Sequence, residues 1–143
     1  MSKIKSFRGL MANDTIDTIS LHTNDGSIGY KIVKFEIMAN NFNVTDEYNV
    51  KVYKVPQTTT TTVFDFADNT LLAAAYFEND AGVNGYDTNV IFDNEIFNQD
   101  IYITHQSQSG QAVNYYLELE QIKLDLSQNT VATLKDIRNI KGQ

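Results

Sequence analysis

Cysteine is absent from the chain. Its absence excludes disulfide bonds, thiolate nucleophiles and cysteine-based zinc sites together, so stability has to come from packing or from assembly. Proline occurs once, at Pro56, and glycine only 7 times, which leaves no stretch with the composition of a flexible linker. The 143 residues therefore predict one domain with a single hydrophobic core.

Long apolar runs are also missing. Residues 1–14 are basic but lack the apolar stretch of a signal peptide, and no later segment approaches the length of a membrane span. We expect a protein that is made in a cytoplasm and does not bind a membrane.

Positive charge is unevenly distributed. All 11 Lys and Arg residues lie outside the interval from Val55 to Ile122, which carries ten Asp and Glu residues. This interval predicts a solvated acidic surface, and it disfavours nucleic acid as a partner because phosphate would be repelled.

Strand signals recur along the whole chain. Residues 15–22 and 29–38 alternate around the turn residues Asn24-Asp25-Gly26, which predicts an antiparallel hairpin. In residues 114–126 the apolar positions change from odd to even numbers, which predicts a β-bulge near Glu120 or Gln121. The pattern favours an all-β fold, an antiparallel β-sandwich of the jelly-roll type.

Three regions follow from this pattern. Residues 1–12 are predicted to be an N-terminal arm, and residues 13–126 the β-sandwich domain. Residues 127–143 are predicted to be a short C-terminal helix or arm, because Val131, Leu134 and Ile137 recur at three-residue steps.

Catalytic and metal-binding patterns are weak. A hydrolase would require His105 in a cleft with an acid partner, and Ser107 two residues away lacks the support of a nucleophile elbow. Asp65, Asp68 and Asn69 could bind calcium, but their spacing is not that of an EF-hand. We therefore predict no catalytic residue, no metal site and no cofactor.

Tyrosine is abundant, with 8 residues, whereas tryptophan is absent. Tyrosine rings can stack on sugars or fill a core or an interface. A glycan-binding surface would require at least two tyrosines to be exposed together. The candidate tyrosines are Tyr30, Tyr53, Tyr86 and Tyr102.

Three segments carry a resemblance to a known group of proteins. They are "KIKSFRGLMA", "VIFDNEIFNQDIYITH" and "NYYLELEQIKLDLSQNTVATLKDIR", and together they resemble small virion structural proteins of marine tailed bacteriophages. The resemblance implies a non-enzymatic decoration or cement subunit of the capsid, assembled in the host cytoplasm. Its implied partners are the major capsid protein or other virion proteins, and a homo-oligomer, with a trimer favoured. The alternative is a tail or fibre component that binds host glycan.

The basic and apolar residues of the two arms are then the candidate contacts to an acidic shell. These are Lys3, Lys5, Phe7, Arg8, Leu10, Leu134, Lys135, Ile137, Arg138 and Lys141.

Overall fold

The computed structural model describes residues 3–21, 27–79, 86–92 and 96–124. All regular structure in these ranges is β-strand. Among the same residues there is no helix long and apolar enough to cross a bilayer. The strands are β1 (Lys3–Met11), β2 (Thr15–Ile19), β3 (Ile28–Ala39), β4 (Asp46–Tyr53), β5 (Leu71–Asn79), β6 (Tyr86–Ile91), β7 (Ile101–Ser107) and β8 (Val113–Lys123).

Two antiparallel sheets pack against each other. The small sheet has the order β1-β8-β3, and the large sheet has the order β2-β7-β4-β5-β6. Alternate residues of both sheets point inward and form one buried cluster, which includes Phe35, Tyr48, Phe97, Ile103 and Leu117. The predicted all-β antiparallel sandwich is confirmed.

The strand order resembles that of a jelly roll, an eight-stranded double sheet of two Greek keys. Strands pair from the chain ends inward, as β1 with β8, β2 with β7 and β4 with β5. Pairing of the remaining strands, β3 with β6, would complete this series of pairs. Instead β6 pairs with β5, and it meets β3 through the Asn89 side-chain amide, which donates to the Phe35 carbonyl.

The predicted hairpin between residues 15–22 and 29–38 is wrong. β2 pairs with β7 and β3 pairs with β8, so the two strands lie in different sheets. A turn signal shows that the chain reverses, but it does not decide which strand supplies the hydrogen bonds. Here the distant strands β7 and β8 supply them.

The predicted N-terminal arm is also corrected, because residues 3–11 are strand β1. β1 pairs with β8 along its whole length, from Lys3 opposite Gln121 to Met11 opposite Val113. The physical reason is its alternation, which turns Phe7 and Met11 toward the core. The predicted C-terminal helix or arm, residues 127–143, lies outside the described residues.

The predicted bulge exists in a different strand. The β1–β8 register is continuous past Glu120, whereas the β3–β8 register shifts between Ile32 and Lys34. Val33 is the extra residue and is 41% exposed. β8 forms ladders on both edges, so a bulge there would disrupt two ladders, whereas a bulge in β3 disrupts one.

The change of the apolar positions from odd to even numbers in residues 114–126 has a different explanation. Beyond the core positions, Leu124 is buried on the other side of the small sheet. A Cβ atom added to Gly29 would lie 3.0 Å from the side chains of both Ile96 and Leu124. The missing side chain at Gly29 therefore leaves room for these two residues to pack on the outer face.

The segment between β4 and β5 is an ordered loop. Its threonine run, Thr58–Thr62, contains no strand. The run "LLAAAYF", whose Leu and Ala residues favour a helix by composition, lies in strand β5.

Candidate binding surfaces

The outer face of the small sheet presents side chains in cross-strand rows. The register places Arg8, Tyr116 and Glu36 in one row and Leu10, Asn114 and Met38 in the next. A shallow cavity of about 760 Å³ lies over these rows. We call this surface the small-sheet face. It consists of Ile4, Arg8, Leu10, Lys34, Glu36, Met38, Asn114 and Tyr116.

Most acidic side chains on the outer side of the small sheet form polar contacts with neighbouring side chains. Lys31 Nζ lies 3.5 Å from a Glu120 carboxylate oxygen. The Tyr116 hydroxyl donates a 2.7 Å hydrogen bond to Glu118, and this bond raises the pKa of Tyr116 above its usual value. Arg8, in contrast, forms no ion pair with any residue in the described part of the chain.

Of the N-terminal contact residues predicted from the sequence, some are exposed and others pack against the rest of the protein. Lys3, Arg8 and Leu10 are exposed, and Leu10 has 56% of its surface accessible. Phe7 packs against the core, and Lys5 Nζ lies 5.8 Å from the ring centroid of Tyr30. Three of the five are therefore exposed, and two of these, Arg8 and Leu10, lie on the small-sheet face. The C-terminal candidates lie outside the described residues.

No protein-family model matches this chain, and no curated protein matches it significantly. Function therefore has to be inferred from its surfaces and from the resemblance of its segments.

The large sheet has a different outer face, because the loop between β4 and β5 covers part of it. Lys51 is fully buried beneath this loop. Its ammonium donates to the carbonyls of Thr61 (2.8 Å) and Val63 (2.6 Å) and lies 5.0 Å from the ring centroid of Phe64. Burial lowers the pKa of Lys51 to about 8.

Beside the covered region runs an exposed aromatic groove. Ring centroids of Phe64 and Tyr76 are 6.4 Å apart, and those of Tyr76 and Tyr86 are 6.1 Å apart. A small apolar cavity of about 190 Å³ lies along it, lined in part by Phe66 and Val90. We call this surface the aromatic groove and define it by Phe64, Phe66, Tyr76, Tyr86 and Val90.

The predicted tyrosine set does not form a common surface. Tyr30 and Tyr53 are 2% and 7% exposed, so neither can stack on a sugar. Tyr86 lies on β6 and Tyr102 on β7, and two strands separate them in the large sheet. The ring that accompanies Tyr86 is instead Tyr76, which was not among the predicted residues.

His105 does not have the geometry that a hydrolase requires. It is fully buried, and its ring nitrogens lie 3.1 Å from the carbonyl oxygens of Asn49 and Gln111. Its ring stacks on Tyr48 at 6.1 Å. The histidine therefore contacts backbone and core, and no acid partner in a cleft accompanies it among the described residues.

The candidate calcium ligands form turns. Asp65 accepts a hydrogen bond from the Ala67 amide, and Asp68 accepts from the amide and the hydroxyl of Thr70. These are the contacts of ordinary Asx turns. No group of three or more potential metal ligands occurs in the part of the chain described by the structure.

Proposed function

We propose that the protein is a non-enzymatic virion structural protein, a decoration or cement subunit that binds the major shell of a capsid. Two things support the proposal. One is the resemblance of three segments to small virion proteins of tailed bacteriophages. The other is the small-sheet face, which presents cationic and apolar side chains of β1 together on a concave surface.

The small-sheet face has the chemistry of a protein contact. Leu10 and Met38 are 56% and 69% exposed in one cross-strand row, next to the row that contains Arg8. Methionine and arginine are both enriched at protein interfaces, and arginine is among the residues that contribute most to interface affinity. An acidic shell surface would complement the Arg8 guanidinium, which has no ion-pair partner among the described residues, and would speed association.

Strand β1 adds a second possible contact. It is the edge strand of the small sheet, so in the described residues its outer edge has backbone donors and acceptors without a sheet partner. An exposed edge strand can pair with a strand from another chain. This arrangement suits the proposed partners, which are the major capsid protein, another virion protein or a second copy in a homo-oligomer, with a trimer favoured.

The test is binding to capsids that lack the protein, measured by co-sedimentation over a range of protein concentrations. We expect saturable binding by the full chain. The double variant Arg8→Glu, Leu10→Ser should weaken it tenfold or more, because it removes an apolar anchor and reverses the charge. Val63→Ser is the matched control, since Val63 is 62% exposed on the loop of the opposite sheet.

Two results would reject this function. In one, the intact chain does not sediment with capsids. In the other, it binds but the double variant binds as tightly as the control, which would remove the small-sheet face from the interface.

A further inference from the structure

The aromatic groove is an exposed apolar surface on the side of the sandwich opposite the small-sheet face. Its most accessible members are Tyr86 at 60%, Phe66 at 55% and Phe64 at 38% exposure. These rings come from the loop and from β6, and the partly buried Tyr76 of β5 lies between them. Neighbouring exposed rings of this kind mark interaction sites more often than isolated apolar residues do.

Carboxylates border one end of the groove. Glu47 lies directly opposite Glu78 in the β4–β5 register, and Tyr86 lies opposite Glu78 on β6. The Tyr76 hydroxyl is 3.5 Å from Glu78. After burial, the charges of Glu47 and Glu78 are the next causes that raise the pKa of Tyr76. Two acids in directly opposed positions repel each other and destabilise the sheet.

Among the described residues, no ion pair to Glu47 or Glu78 relieves this repulsion. No Lys or Arg occurs from Val55 to Ile122, which includes β5 and β6. Lys51 is in the neighbouring strand, but its ammonium is buried under the loop and bonded to Thr61 and Val63. The groove therefore combines exposed rings with negative charge that no nearby described cation neutralises.

We propose that the aromatic groove binds a basic peptide segment of a partner protein, in which lysine or arginine alternates with aliphatic residues. Aliphatic side chains of the peptide fill the apolar cavity between Phe66 and Val90. Its cations lie against Glu47 and Glu78 and over the ring of Tyr86, where cation–π attraction adds to the ion pairs. A sugar fits less well, because the cavity lining offers few side-chain hydrogen-bond partners besides Tyr76 and Thr88.

The experiment uses the full chain and a short fluorescein-labelled peptide in which leucine and lysine alternate, with binding followed by fluorescence anisotropy. We expect saturable binding that weakens as salt is raised. The variant Phe66→Ala, Tyr86→Ala and the variant Glu47→Gln, Glu78→Gln should each raise Kd about tenfold. Val33→Ser, at the exposed bulge of β3, is the control and should leave Kd unchanged. Circular dichroism of each variant confirms that the fold is retained.

Several outcomes would overturn the proposal. The proposal fails if a peptide in which leucine alternates with glutamate binds equally tightly, or if both groove variants keep the Kd of the unaltered chain. An unlabelled peptide of residues 127–143 that displaced the probe would make the chain's own C-terminal segment the occupant. Binding of an oligosaccharide panel that depended on Tyr86, without binding of the leucine–lysine peptide, would make the groove a glycan site.

Discussion

The buried Lys51 predicts an unusual dependence of stability on pH. Its pKa is about 8 in the folded protein and about 10.4 in an unfolded chain. Between these values the unfolded chain binds more protons than the folded protein, so the free energy of unfolding rises with pH. Below pH 8 the lysine is protonated in both states, and the cost of burying its charge is fully present.

The expected size can be calculated from the two pKa values. Between pH 7 and pH 9 the Lys51 contribution increases the free energy of unfolding by about 1 kcal/mol. With typical urea m-values this corresponds to a midpoint shift of about 0.3–1 M. Tyrosines act in the opposite direction above pH 10, because burial raises the pKa of Tyr48, Tyr53 and Tyr115. The measurement should therefore stop at pH 9.

The assay is urea unfolding at pH 7, 8 and 9 at constant ionic strength, followed by far-ultraviolet circular dichroism. Lys51→Met keeps the aliphatic stem and should abolish the rise in stability. Lys34→Met is the matched control, because Lys34 is exposed on β3, and it should preserve the rise. The reasoning is refuted if the unaltered protein does not gain stability from pH 7 to pH 9, or if Lys51→Met retains the same slope.

Two further predictions concern the fold. Asp46→Asn should cost about 1–3 kcal/mol in urea unfolding, because the buried carboxylate accepts hydrogen bonds from the backbone amides of Ser109 and Gln111; a loss below about 0.5 kcal/mol would contradict this role. Gly9→Ala should cost about 1–3 kcal/mol through overpacking, because its Cβ would lie 2.8 Å from the ring of Tyr115. An unchanged melting temperature for Gly9→Ala would show that the ring moves aside freely.

The fold class could be predicted because strand alternation is a local property. Tyr115, Leu117 and Leu119 alternate in the sequence and are buried in the structure. Strand pairing is not local, and the hairpin predicted from Asn24-Asp25-Gly26 failed for that reason. Residues 3–11 were predicted to be an arm because Lys3, Lys5 and Arg8 dominate their composition, and strand β1 was missed because its structure depends on pairing with β8.

The burial of β4 on both faces could have been anticipated only in part. Asn49, Lys51 and Tyr53 alternate with apolar residues, which is the pattern of a strand with one solvated face, yet all three are buried. A signal was present in the neighbouring strand, since a continuous apolar run such as "LLAAAYF" is typical of a strand covered on both sides. What covers it is a threonine-rich loop, and no sequence pattern specifies where such a loop lies.

The surfaces were the least predictable part. Arg8 and Leu10 were selected for their residue type, and the structure shows them exposed on the small-sheet face. The aromatic groove was missed because Phe64, Tyr76 and Tyr86 come from three segments of the chain. They meet only through the register that aligns Glu47, Glu78 and Tyr86 across three strands.

The position of β8 has a consequence for the order of events during folding. β1 and β3 are separated by β8 in the small sheet, so neither completes that sheet until the last described strand has been synthesised. Pairs such as Lys3 with Gln121 join distant parts of the chain, which predicts slow folding. A chain that ends before Val113 lacks β8 and cannot form the small-sheet face. Only polypeptides translated through β8 therefore carry this surface, so its presence reports that the whole described fold has been made.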